Sequence, residues 1–200
     1  MTRGLSIRLP LPGHPLDLVP GDPREARAGL AFAALLDHFG AGALERLPAP
    51  GHITASAYLV TPDLAWVLVM HHAKLDRWLQ PGGHADGMAD LVAVARKEAA
   101  EETGVVPGAP DSPAPLLVDV HRIPARGNVP AHLHYDAGFL FRIPADARLQ
   151  ANAESRGLAW VRTARIAGRD GRDALTRAAR RVRARAGGAS RGRGLPPAGP

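Results

Sequence analysis

Residues 83–105 read GHADGMADLVAVARKEAAEETGV, and no other stretch restricts the fold as tightly. Its composition predicts a helix from Asp90 to Thr103, with Gly104 as C-cap and Pro107 as a breaker beyond it. On that helix Glu98, Glu101 and Glu102 stand at i, i+3 and i+4, so three carboxylates share one face within a turn. Like charges at these spacings repel by about 0.2–0.5 kcal/mol per pair. Two of the three also crowd the helix C-terminus, where the macrodipole favours cations. A sequence that breaks two local rules at one place gains something there, and a bound divalent cation resolves both conflicts. Carboxylate oxygens are hard ligands, suited to Mg²⁺ or Mn²⁺ rather than to zinc. The alternative is a solvated acidic face on which Lys97 pairs with Glu101.

Gly82 and Gly83 precede the helix. They permit a close backbone approach in which a carbonyl can join a metal shell and amides can meet phosphate oxygens. With these flanks the stretch resembles the Nudix box, G-x5-E-x7-R-E-U-x-E-E-x-G-U with U apolar. Gly83 aligns with the first glycine, and Glu98-Ala99-Ala100-Glu101-Glu102-Thr103-Gly104-Val105 with the E-U-x-E-E-x-G-U end. Two positions depart from the pattern: Ala89 replaces the first glutamate and Lys97 the arginine. Lysine keeps the charge but lacks the planar fork that orients a carboxylate, and Arg96 lies about 100° round the helix. Asp86 and Asp90 are the acidic residues near enough in sequence to stand in for Ala89. The resemblance runs from Gly51 to Ile166. It includes His52 to Ala57, Trp78 to His84, Asp119 to His121 and His132 to Asp136, and is similar to a bacterial subgroup with a GGH variant of the loop.

The resemblance implies an α/β fold, a Nudix-type α/β/α sandwich with a mixed β-sheet. It further implies a metal-dependent hydrolase that cleaves a pyrophosphate bond in a nucleoside diphosphate linked to another moiety: a nucleotide sugar, ADP-ribose or an NTP-like substrate. Gly82, Glu98, Glu101 and Glu102 would hold Mg²⁺ or Mn²⁺. Glu98, Glu101 and Lys97 would serve catalysis, joined from outside the box by Glu154. Gly83, His84, His121, His134 and Trp78 would contact the substrate. The departures at Ala89 and Lys97 leave open a degenerate domain that binds a nucleotide without turning it over. An isomerase on the same fold would need a catalytic cysteine, and the chain has none.

Independently of the box, His132, His134 and Asp136 alternate onto one face of a strand, as do Asp119 and His121 on another. If those strands are neighbours, the cluster can hold a second metal, bind phosphate as imidazolium or supply a general base. It can equally be a face of mutually hydrogen-bonded side chains. Strands are predicted at Ile53 to Val60, Ala65 to His71, Leu116 to Arg122, His132 to Ile143 and Leu158 to Arg162, with an extended segment at Arg77 to Gln80. Helices are predicted within Pro23 to Leu47, where Asp22 is an N-cap ahead of Pro23, and at Asp173 to Ala186.

The formal charge of +6 is unevenly placed. Nine arginines follow Gly168 against Asp170 and Asp173, so a segment of +7 is attached to a body near neutrality. Three units are expected: residues 1–50 as an N-terminal helical extension, 51–167 as the hydrolase domain, and 168–200 as an Arg-rich helix with a low-complexity, disordered C-terminal tail. That tail has no aromatic residues to stack on bases, which disfavours nucleic acid as a partner. Met1 to Gly13 is short and Pro-broken for a signal segment, and no apolar run approaches the roughly 18 residues of a membrane span. A cytoplasmic protein acting on a small-molecule nucleotide is expected, with no membrane partner and a homodimer left open.

Overall fold

Alternation along one strand organises the molecule. In chain order the elements are β1 (Ile7–Leu9), β2 (Leu16–Leu18), α1 (Pro23–Phe39), a 3-10 turn (Gly40–Leu44), β3 (Gly51–Val60), β4 (Trp66–His72), β5 (Arg77–Leu79), β6 (Gly82–His84), α2 (Leu91–Thr103), β7 (Leu117–Ile123), β8 (His132–Arg142), β9 (Ser155–Arg162), α3 (Thr163–Ala167) and α4 (Ala174–Ala186). They come from a computed structural model that describes residues 6–46 and 50–187. The low-complexity tail expected from Gly187 to Pro200 lies, past Gly187, outside the described residues.

Every residue of β3 is buried, because both faces of the sheet are covered. Ile53, Ala55, Ala57 and Leu59 point to one side, with Tyr135, Ala137, Phe139 and Phe141 of β8. There they meet Phe32 and Leu36 of α1 and Leu91, Val94, Ala95 and Ala99 of α2. Tyr58 and Val60 point to the other side, where Ile166 of α3 and Leu175, Ala178, Ala179 and Val182 of α4 cover them. The result is an α/β/α sandwich. Its sheet is mixed: β3 runs parallel to β8 and antiparallel to β4 and β6, while β7 pairs antiparallel with β8 and β9 with β4.

The helix ends follow local chemistry. Asp22 caps α1 by accepting from the Glu25 amide, with proline at the first helical position. Asp90 caps α2 through the Ala93 amide, and Gly104 closes it in the left-handed conformation at φ 74°.

Two features differ from the reading by composition. The segment before β3 is not only helical, since β1 and β2 form an antiparallel hairpin that buries Leu9 and Leu18. Basic α4 is folded onto the body. Its Arg177 is 8% exposed and ion-paired with Asp119 of β7, and Arg180 donates to the Ala167 and Arg169 carbonyls. Arg181 bonds the Leu116 carbonyl and, at 3.0 Å, Glu25. Fully buried Glu25 also accepts from the Gly21 amide at 2.7 Å and the Val118 amide at 3.1 Å, tying α1, β7 and α4 together. Among the described residues, no helix is long and apolar enough to cross a membrane.

Candidate active site

Three-residue β6 carries the junction on which the site is built. Its register against β3 sets Gly82 opposite Ser56, Gly83 opposite Ala55 and His84 opposite Thr54. Cross-strand partners share a face, so Gly83 is turned to the side of α2 while Gly82 and His84 are turned to the opposite side.

On the α2 side the three glutamates differ in environment. Glu102 is 3% exposed and accepts a 2.9 Å hydrogen bond from the Gly82 amide. Glu98 lies against Gly83, where a Cβ would come within 2.4–2.7 Å of its carboxylate; glycine is needed because the acid occupies that space. Glu101 is about half exposed. Lys97 sits 3.4 Å from Glu98 and 3.8 Å from Glu101, bridging two carboxylates with one ammonium. Burial, only partly offset by the Gly82 amide, together with the charges of Glu98, Glu154 and Glu101 lifts Glu102 to a pKa of about 7. Glu98 is raised as well, by burial first, with Lys97 opposing and Glu101 and Glu154 adding. Glu154, in the turn before β9, is half exposed and 3.5 Å from Lys74.

Neither acidic neighbour substitutes for the glutamate absent at Ala89. Asp86 is held by Arg46 through bonds of 2.6 and 2.8 Å, and Asp90 is used as the helix cap. Arg96 is turned away, its Nε donating to the Pro107 carbonyl at 3.0 Å.

The other face of the sheet is polar at this end. β7 and β8 are neighbours, with Asp119 opposite Asp136 and His121 opposite His134. Parallel pairing then sets His52 of β3 beside His134. His52, His132 and His134 each offer a nitrogen, all within 4.8 Å of one another, and His84 closes on them at 5.0 Å from His52 and 5.1 Å from His134 between ring centres. Burial, then the charge of Arg46 and the neighbouring imidazoles, hold His84 at a pKa of about 4, and burial with the surrounding imidazoles depresses His134 further, so neither is an imidazolium near neutrality. His121 is the contrary case. Burial disfavours its charge, but the hydrogen bond to Asp119 and the charge of Asp136 outweigh it, and the net shift is upward. Asp136, 4% exposed, accepts from Thr54 at 2.9 Å and Ser56 at 3.0 Å. Trp78 lies on β5, stacked on His71 at 4.9 Å, and the residue is 46% exposed.

Alternation along β8 points to His132 and His134. His52 and His84 join them through long-range pairing for which the sequence carries no local signal. Glu25 resembles an ordinary first-turn acid, and its burial is visible only in three dimensions.

A protein-family model, the NUDIX domain, matches residues 50–182, which is more than half of the chain. The chain belongs to the Nudix family, and the class so defined is that of the pyrophosphohydrolases. No curated protein matches it significantly in sequence. Among solved structures it is similar to the dihydroneopterin triphosphate pyrophosphohydrolase of E. coli, with TM-score 0.51 and 13% identity over 68% of this chain and 94% of that one. It is similar also to the NUDIX domain of Shewanella oneidensis NrtR complexed with ADP ribose, with TM-score 0.46, 21% identity, and 66% and 86% of the two chains covered. A hydrolase of the NUDIX family from Clostridium perfringens gives TM-score 0.45 and 18% identity, covering 66% and 97%.

Proposed function

We propose that this chain hydrolyses the pyrophosphate bond of a nucleoside diphosphate linked to a further group, with Mg²⁺ or Mn²⁺ held by Glu98, Glu101 and Glu102. One observation carries the reading: Glu98 and Glu102, both mostly buried, are turned into the same pair of glycines, and burial together with neighbouring carboxylates drives both away from the charged form. An all-carboxylate set on a helix fits a hard divalent cation, whose charge relieves that conflict. Glu98, Glu101 and Glu102 would hold the cation, which would supply charge neutralisation at the diphosphate and activation of water.

The chain's own groups do the positioning. The Gly82 amide fixes the Glu102 carboxylate, Gly82 also offers its carbonyl to the ion, and Lys97 restrains Glu98 and Glu101. Glu154 is exposed, and its charge is felt by both Glu98 and Glu102; we assign it the proton-accepting role. Gly83 leaves room for Glu98 beside the substrate's phosphates. Trp78 offers an exposed aromatic face to the substrate, whereas His84, His121 and His134 lie on the sheet face away from Glu98, so we do not assign them to the phosphates at the metal. Arg177, Arg180 and Arg181 are engaged on the protein itself, which supports a small-molecule nucleotide over nucleic acid as partner.

The test is a panel of nucleotide sugars, ADP-ribose, dinucleoside polyphosphates and nucleoside triphosphates. Each is incubated with Mg²⁺ or Mn²⁺, and phosphate release is read after phosphatase coupling. Metal-dependent turnover of at least one member, lost on chelation, is the expected result. Tight binding without turnover across the panel supports the degenerate, nucleotide-binding alternative raised by Ala89 and Lys97.

A further inference from the structure

The four clustered histidines are not needed to explain the carboxylate centre. β6 separates the two groups: Gly83 faces Glu98 on the α2 side, and His84 faces His52 and His134 on the other. We infer that His52, His132 and His134 form a second metal site, an all-imidazole one selective for a borderline transition-metal ion of the Zn²⁺ type, distinct from the carboxylate site.

The geometry supports this at the level of single atoms. Two nitrogens bound at about 2.0–2.1 Å to a tetrahedral ion lie ~3.3–3.4 Å apart. The Nε2 atoms of His132 and His134 are 3.3 Å apart. The Nδ1 of His132 lies 2.9 Å from the Pro130 carbonyl, which can only accept, so that nitrogen carries the ring proton and Nε2 presents a lone pair to its neighbours. An outward N–H held by a backbone carbonyl is the arrangement that fixes a metal-binding imidazole in orientation and tautomer. His52 completes the set from the adjacent strand, stacked on His132 at 4.9 Å. Both His52 and His132 are buried, so their rings keep one direction without an ion and little side-chain entropy is left to lose on binding.

Donor chemistry sets the selectivity. Imidazole nitrogen suits zinc, copper and nickel, whereas Mg²⁺ demands oxygen ligands, and the chain has no cysteine to compete for zinc. With three ligands from β3 and β8 a fourth position is left, which His84 or a solvent molecule can take.

The experiment uses the full-length protein stripped with chelator, then titrated with Zn²⁺ against a chromophoric competitor in a large excess of Mg²⁺. One Zn²⁺ per chain should be retained. His52→Gln and His132→Gln should each weaken it by at least about 100-fold, with folding verified by circular dichroism. Glu98→Gln and Glu102→Gln should leave it unchanged while removing Mg²⁺-dependent turnover, so failure of this site and failure of the carboxylate reading are distinguishable. X-ray absorption at the zinc edge of the wild-type complex needs no variant and should show an imidazole shell. Zinc displaced by Mg²⁺, zinc lost in the glutamate variants but kept in the histidine variants, or an oxygen-only shell would each overturn the inference and leave a hydrogen-bonded histidine cluster.

Discussion

Replacing Glu102 by glutamine should make the metal-free protein more stable at pH 8. In the folded chain Glu102 titrates at about 7 against an ordinary 4.5, because burial and the neighbouring carboxylates oppose its charge. A carboxylate raised in this way contributes stability that is full below pH 4.5 and is lost as pH rises through 7. The gap corresponds to about 3 kcal/mol at pH 8, where the wild type is ionised and the amide is neutral. Glutamine keeps the acceptor for the Gly82 amide, so the substitution removes the charge and little else. A chain of this size shifts its Tm by ~2–4 °C per kcal/mol, so scanning calorimetry in EDTA should find the variant melting roughly 6–12 °C above wild type at pH 8. At pH 4 the two should nearly coincide. Added Mg²⁺ should raise the Tm of the wild type and leave that of the variant where it was. A variant that melts at or below wild type at pH 8, or a gap that does not close toward pH 4, refutes the reasoning and makes the carboxylate a structural group.

Four further outcomes follow from particular contacts. Gly83→Ala should displace Glu98 and weaken Mn²⁺ binding by about 10–100-fold with little change in melting. Gly82→Ala meets Ser56 Oγ and the Ala55 carbonyl instead, and should cost about 1–3 kcal/mol; calorimetry with a Mn²⁺ titration separates the two cases. Asp119→Asn leaves the guanidinium of Arg177 buried without its counter-charge and should cost about 3–5 kcal/mol by urea denaturation. In the wild type burial opposes the Asp119 charge, but His121 and Arg177 outweigh it, so the pair's contribution is present at neutral pH and lost as pH falls below the usual carboxylate range. Truncation after Gly168 uncovers the apolar face that Leu175, Ala178, Ala179 and Val182 protect, and should abolish the cooperative transition seen by circular dichroism.

What could be read beforehand was what local spacing determines. The helix of Glu98, Glu101 and Glu102, its caps at Asp90 and Gly104, and the alternation of His132, His134 and Asp136 each depend on residues a few positions apart. The hairpin of β1 and β2 leaves no readable pattern, because three-residue strands flanked by prolines carry too little alternation. Counting charge alone made the C-terminal arginines an appendage. The spacing of Leu175, Ala178, Ala179 and Val182 is that of a helix with a buried side, and Arg177 goes inward because β7 supplies Asp119. His52 and His84 joined the histidines only through the pairings of β3 with β8 and with β6, which depend on the whole sheet.

Whether the carboxylates of α2 form the divalent metal centre can be measured without knowledge of the substrate, by a Mn²⁺ titration followed through the resonance of the free ion. At neutral pH the wild-type chain should bind Mn²⁺, Glu98→Gln and Glu102→Gln should each lose that binding, and His132→Gln should retain it. Mn²⁺ held equally well by both glutamine variants would contradict the account.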